Sequence, residues 1–315
     1  MSSSLPQLPN NALRPNRVEF ERTKPELMEY PMAVLRELSW ITDLRLPLLR
    51  TLVPPELSAL TRLHTLRVEV PQPRRLNRTV GVFPSSLTEL VIEPSFGSDM
   101  WRITKAEPTL PLHLLIPKLP PTLVSLSLLG CITDIDVPIA WQQECGTALQ
   151  LLELPKRYIV GPEQVDQLAE LPHLRSLLCP GGISVYRGRY INFVPAFPSL
   201  VRLATRFVDE QSALIMANVR SLRALEVYGG TAMRNPTWLR GFDFLTELTV
   251  ARVLPEQVLA LGGVLMHWTS LVLLTVRLPP PEGKGKCDWR PVLRLVLPLQ
   301  QLNLVTPVSV DQSLL

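Results

Sequence analysis

The chain has 315 residues, 46% of them hydrophobic and 19% charged, with a formal net charge of +4. That composition excludes a disordered, charge-dominated chain. The four cysteines (Cys131, Cys145, Cys179, Cys287) show no paired spacing, which excludes a disulfide-stapled scaffold.

Residues 1–24 carry Pro6, Pro9 and Pro15 with little apolar material, and read as a disordered tail. Met1 to Pro6 lack the basic and apolar regions of a signal peptide. Together with the scattered cysteines this sets the expectation of a reducing compartment, cytoplasmic or nuclear. Over 25–40, Leu27, Val34, Leu35 and Leu38 suggest a helical N-terminal cap, interrupted by Pro31, that covers the edge of whatever follows.

From Ile41 to Leu304 one spelling recurs eleven times: Leu-x-x-Leu-x-Leu, with conservative replacements. The copies are Ile41-Leu44-Leu46, Leu63-Leu66-Val68, Leu87-Leu90-Ile92, Leu123-Leu126-Leu128, Leu149-Leu152-Leu154 and Leu174-Leu177-Cys179. They continue as Leu200-Leu203-Thr205, Leu222-Leu225-Val227, Leu245-Leu248-Val250, Leu271-Leu274-Val276 and Leu299-Leu302-Leu304. Successive first positions are 22, 24, 36, 26, 25, 26, 22, 23, 26 and 28 residues apart. A period of that size predicts a solenoid. The fourth and sixth positions of each copy lie two apart, so in a strand they share a face. One short strand cannot bury that face, whereas parallel stacking of the copies makes a continuous core.

The return segments fit this reading. Pro55-Glu56, Pro162-Glu163-Gln164-Val165 and Pro255-Glu256-Gln257-Val258 each precede a copy. Proline suits the first helical position, and glutamate beside it favours the positive end of the helix dipole. Val258 to Val276 has no charge over nineteen residues. Its place in the repeat, a return helix and then a strand, accounts for it without a membrane span.

Three segments interrupt the period. The interval from Leu87 to Leu123 holds an insertion with Trp101, either an anchor for a partner or cover for the solenoid's flank. Gly181 to Phe193 contains Tyr186-Arg187-Gly188-Arg189-Tyr190, whose interleaved arginines and tyrosines suit RNA stacking in one reading and an ordinary wide loop in the other. Gly283-Lys284-Gly285-Lys286 lacks the spacing of a phosphate-binding loop and reads as a linker. Residues 305–315 read as an incomplete C-terminal cap.

Over residues 41–304 the chain resembles the leucine-rich repeat family, in the irregular intracellular style of the repeat regions of F-box proteins. That resemblance implies an α/β solenoid of about eleven repeats. Its curved parallel sheet lies on the concave side, with short helices and irregular segments on the convex side. The family's ninth-position Asn or Cys is met only by Cys131.

The concave face is expected from the second, third and fifth positions. Its charges are of both signs and mixed with apolar residues, which suits a protein partner better than a nucleic acid. The basic side has no run longer than Arg74-Arg75 with Arg78 nearby. Arg175, Leu178, Arg202, Arg223, Glu226 and Glu247, with Trp101 in the insertion, are the candidate partner-binding residues. His64, His113, His173 and His267 do not form a His-Glu-x-x-His motif, and Gly-x-Ser-x-Gly and Cys-x-x-Cys are absent. No catalytic residue, metal site or cofactor is expected. The reading is a non-enzymatic scaffold for another protein. The alternative implied by the resemblance is the substrate-recognition subunit of a ubiquitin ligase, with RNA binding through residues 186–190 ranked below it.

Overall fold

The computed structural model describes residues 16–19, 37–46, 51–53, 55–70, 77–80, 82–94, 109–110, 115, 118–129, 132–133, 148–156, 158–185, 197–229, 235–252, 255–265, 268–277 and 301–305. Sixteen strands form among them. The first eight are β1 (Arg17–Glu19), β2 (Asp43–Leu46), β3 (Thr51–Val53), β4 (Thr65–Val70), β5 (Asn77–Val80), β6 (Glu89–Pro94), β7 (Thr109–Leu110) and β8 (Ser125–Leu128). The rest are β9 (Ile132–Thr133), β10 (Leu151–Glu153), β11 (Ser176–Ile183), β12 (Arg202–Phe207), β13 (Ala224–Tyr228), β14 (Glu247–Ala251), β15 (Leu273–Arg277) and β16 (Gln301–Val305). Twelve of them make one sheet in the order β1-β2-β4-β6-β8-β10-β11-β12-β13-β14-β15-β16. The pairs β3–β5 and β7–β9 stand apart from it.

The register of this sheet is the register of the repeat. Leu44, Leu66, Leu90, Leu126, Leu152, Leu177, Leu203, Leu225, Leu248, Leu274 and Leu302 stand side by side in parallel pairing from β2 to β16. The first ten of these leucines are at most 2% exposed. Burial of each contributes roughly 2 kcal/mol relative to exposure, and the row makes one core that runs the length of the array.

Two sixth positions are polar or polarisable, and they satisfy each other. Cys179 donates its thiol to Thr205 Oγ1 at 3.3 Å, and Thr205 donates to the Cys179 carbonyl at 3.2 Å. Both residues are fully buried. Beyond Cys179 the pairing of β11 with β12 slips, and Ile183 resumes it opposite Phe207. The slip holds Gly182 at φ +130°, where a Cβ would stand 2.8 Å from the Arg206 carbonyl. The segment Gly181–Ile183 is thus bulged strand, where the sequence suggested the start of a loop.

The ninth-position ladder is replaced by another tie. The residue just before the first leucine is often Ser or Thr, and it donates to the backbone of the previous turn. Ser86 reaches the Leu63 carbonyl at 2.8 Å, Thr122 that of Ser85 at 2.7 Å, Ser199 that of Pro172 at 2.7 Å and Ser221 that of Phe197 at 3.1 Å. Ser270 does the same to Asp243. Each bond satisfies a carbonyl that the tight turn into the strand leaves unpaired within its own repeat.

The return segments carry short helices, α1 (Pro162–Ala169), α2 (Glu210–Met216) and α3 (Pro255–Leu265), and 3₁₀ turns at Pro55–Ala59 and Pro236–Phe242. The three prolines expected to open helices do so. Helix α2 starts without proline: Asp209 caps it by accepting from the Ser212 amide at 2.6 Å. Phe207, Trp238 and Phe242 pack edge to face behind β12 to β14, with centroids 5.1 and 5.8 Å apart. The uncharged stretch from Val258 divides between α3 and β15, and no helix among the described residues is long and apolar enough to cross a membrane.

The expected disordered tail does not hold at its end. Arg17–Glu19 pairs in parallel with Asp43–Arg45, which sets Val18 beside Leu44. The Thr42 and Asp43 amides both donate to the Asn16 carbonyl, at 3.0 and 3.2 Å. The His64 and Thr65 amides bond Thr42 in the same way. Residues 16–19 therefore extend the sheet as a further, degenerate copy. Pro15 stands 26 residues before Ile41, an ordinary interval for this chain. The edge of β2 is covered by this strand. Of the segment expected as a helical cap, Leu38 and Trp40 pack against the core; residues 25–36 lie outside the described part.

Candidate protein-binding face

The side of the sheet opposite the leucine core is built from the third, fifth and seventh positions of each copy, since alternate residues share a face. It divides into three zones along the array.

The first zone spans β1 to β6 and is charged. Glu19, Asp43, Glu69, Glu89 and Glu93 outnumber Arg17, Arg45 and Arg67. Arg45 lies at its centre, 2.8 Å from Glu19, 3.1 Å from Glu69 and 3.3 Å from Glu93. Burial works against the Arg45 charge, but the hydrogen bond to Glu69 and the attraction of Glu93, Glu69 and Glu19 outweigh it and raise its pKa. One guanidinium thus ties four strands.

The central zone, β8 to β11, is nearly free of charge. The half-buried Leu151 stands between Ser125 and Ser176, and the half-buried Leu178 between Glu153 and Ala204. Leu129, Pro155 and Pro180 occupy the seventh positions beside them. Glu153 is the one charged residue among the described residues of this zone at these positions. These leucines lie outside the core row and keep part of their surface in water.

The third zone, β12 to β15, is organised around Glu226. Its carboxylate is 2.9 Å from Arg277 and 3.6 Å from Arg202, and its side chain is 10% exposed while theirs are 48% and 55%. Arg206 donates to the Gly181 carbonyl at 3.1 Å. Burial, with the Glu226 charge nearby, pushes the Tyr228 hydroxyl up to about 12. Arg252, one residue past β14, has φ 60°.

The candidates read from the sequence fall as follows. Arg202 and Glu226 are brought together, but Glu226 is covered by arginines and does not present its charge to a partner. Arg175 and Glu247 are exposed. Arg223 is exposed yet turned on its own chain, donating to the Arg220 and Leu222 carbonyls at 2.9 and 2.8 Å. Leu178 belongs to the central zone. Trp101 and the Tyr186–Tyr190 cluster lie outside the described residues. Cys179 is fully buried and its thiol is pushed up to about 12 by burial, whereas His173 is exposed, so the two do not form a shared site. Among the described residues no group of three His, Cys, Asp or Glu side chains is placed to hold a metal. The sequence reading missed the seventh positions. Arg206, Tyr228 and Arg277 share parity with the third and fifth, and a strand one step longer than the repeat's spelling brings them onto the same face.

The register, the buried leucine row and the short return helices define the class: an α/β leucine-rich repeat solenoid with one open sheet face. No family model and no curated protein matches the sequence. Among 23 matching chains of solved structures is an internalin of Listeria monocytogenes, 17% identical. It covers 86% of this chain and 77% of its own, with a TM-score of 0.41.

Proposed function

We propose that the chain is a non-enzymatic scaffold whose open sheet face binds another protein. The observation that carries this reading is the central zone, where the half-buried Leu129, Leu151, Leu178 and Pro180 form an apolar strip between two charged zones. An apolar centre with a polar rim is the anatomy of a protein interface. A rigid sheet presents it at low entropic cost on binding. The ubiquitin-ligase and RNA readings rest on the family resemblance and on residues 186–190 respectively, and no feature of this face favours either.

The test is capture from cell extract with quantitative mass spectrometry, comparing the wild type with the Leu151→Ser, Leu178→Ser double variant. A control variant, Val82→Ser, alters an exposed residue away from the strands, 60% exposed. A protein kept by the wild type and the control but reduced about tenfold with the double variant, the loss expected for two apolar anchors, supports the reading. Equal retention by all three sinks it.

A further inference from the structure

We infer that the carboxyl ends of β12 to β15 form a docking site for an acidic segment of the protein partner, an inference that deepens the open-face reading and depends on it. Arg206, Arg252 and Arg277 are all exposed there, with Tyr228 among them. Two of the three guanidiniums are already held in place, Arg206 by the Gly181 carbonyl and Arg277 by Glu226. The Glu226 carboxylate is shared between Arg277 and Arg202 and is covered by them. Among the described residues at the seventh positions and just past them, the exposed charge at this end of the sheet face is therefore positive. Glu247 lies at the opposite end of β14, four residues before Ala251, or about 13 Å along the strand.

Arg252 supplies a second, independent observation. Its backbone is left-handed at φ 60°, and among the described residues it is the one non-glycine with positive φ. Its amide donates to the Arg277 carbonyl at 2.7 Å. Its Cβ is 3.3 Å from where a Cβ on Gly229 would stand. Glycine would hold this conformation without strain, and non-glycine residues kept in such a conformation cluster at binding sites. The left-handed turn fixes where the chain leaves β14, beside Gly229 and the Arg277 backbone, with the Arg252 side chain exposed.

Guanidinium pairs with carboxylate in a two-pronged geometry, and preheld arginines lose little freedom on binding. The three strand spacings from β12 to β15 cover about 14 Å, the length of about four extended residues. A short acidic stretch laid across the strands spans Arg206 and Arg277 and passes the carboxyl end of β14, where Arg252 is exposed. Nucleic acid also favours arginine and tyrosine, but a strand long enough to run along the whole face would meet the carboxylates of the first zone and Glu153.

The experiment uses the purified full chain and two fluorescein-labelled probes, a hexaglutamate peptide and a six-nucleotide oligouridylate, read by fluorescence anisotropy at 50 and 200 mM salt. Hexaglutamate is expected to bind, to weaken at the higher salt, and to lose at least tenfold in affinity with Arg252→Glu, Arg277→Glu. Arg62→Glu, in a turn far along the array, leaves the affinity unchanged. Arg252→Gly guards against a folding artefact: it raises the melting temperature by relieving the backbone while still weakening the peptide at least threefold. The inference is overturned by hexaglutamate that does not bind, by affinity unchanged in Arg252→Gly, or by oligouridylate that binds more tightly with the same sensitivity. The Leu151→Ser, Leu178→Ser variant keeps its hexaglutamate affinity. Failure of the central strip and failure of the arginine site are thereby read separately.

Discussion

Cys179 and Thr205 sit where the repeat asks for apolar side chains, and their chemistry gives the solenoid an alkaline weakness. Burial moves the Cys179 thiol from 9.0 to about 12, and burial moves the Tyr158 hydroxyl from 10.0 to about 12. In both, the folded chain keeps a proton that the unfolded chain releases. Stability is therefore intact below pH 9 and falls between pH 9 and 12, by up to about 1.4 kcal/mol per pH unit for one group. Urea melts across that range should show the fall, and Cys179→Val should flatten the part that begins near pH 9. An unchanged pH profile in Cys179→Val would exclude the thiol as its source. Neighbours on one strand give the complementary contrast. Leu225 is 2% exposed in the core row, so Leu225→Asp strands an unpaired carboxylate and costs roughly 4 kcal/mol or more. Glu226 is nearly as buried, but its two arginines are about half in water and rehydrate when it is removed. Glu226→Ala therefore costs about 1 kcal/mol or less. Equal urea midpoints for the two variants would contradict the register of β13.

At the scale of the element, the glycines separate what the strand needs from what the helix tolerates. In β11 a Cβ on Gly181 would stand 2.1 Å from the Tyr158 carbonyl, and Gly182 has φ +130°. Alanine at either position forces backbone apart and should cost about 2 kcal/mol or more. Gly263 in α3 meets nothing within 4 Å. Gly263→Ala should stabilise by about 0.5–1 kcal/mol, because alanine loses less freedom in a helix. Thermal melts of Gly182→Ala and Gly263→Ala should therefore shift in opposite directions. The same elements show what was legible in the sequence. The strands were, because eleven copies of a three-leucine spelling repeat one geometric requirement. The proline-led return segments were as well, since proline fixes the first helical position. Helix α2 was not, because its start depends on a single capping aspartate. Neither was the bulge at Gly181-Gly182, which looks like a loop until β12 is laid beside it. The tie between turns moved from a ninth-position amide to a hydroxyl before the first leucine. A serine ahead of a leucine is too common to stand out until its carbonyl partner is known. Of the open face, the third and fifth positions could be read from the spelling. The seventh, where Arg206, Tyr228 and Arg277 stand, could not, because nothing in the repeat says how far each strand continues.

On the scale of the whole molecule, a solenoid's stability is a sum of neighbouring contacts, so an end weakens without the middle noticing. Among the described residues, three guard the edge of β2. β1 covers β2, its Glu19 joins the Arg45 cluster at 2.8 Å, and Val18 packs against the core. An uncovered β2 would present unpaired backbone groups along a sheet edge, a template for another chain. Val18→Asp in the full chain is therefore expected to release β1 and leave the far end alone. Hydrogen exchange should quicken by about tenfold or more in Asp43–Leu46 and stay unchanged in Leu273–Arg277, since local opening is set by local contacts. Light scattering should also rise with concentration as freed β2 edges meet. The open sheet face makes the same point in another form. The charged first zone lies four strand steps, from β6 to β12, or about 19 Å, from the arginine zone, beyond the roughly 8 Å over which salt screens exposed charges at physiological strength. Hexaglutamate affinity in Val18→Asp should therefore equal that of the wild type. Loss of that affinity together with faster exchange at β15 would mean that the array unfolds as one block, and the independence of its two ends would have to be given up.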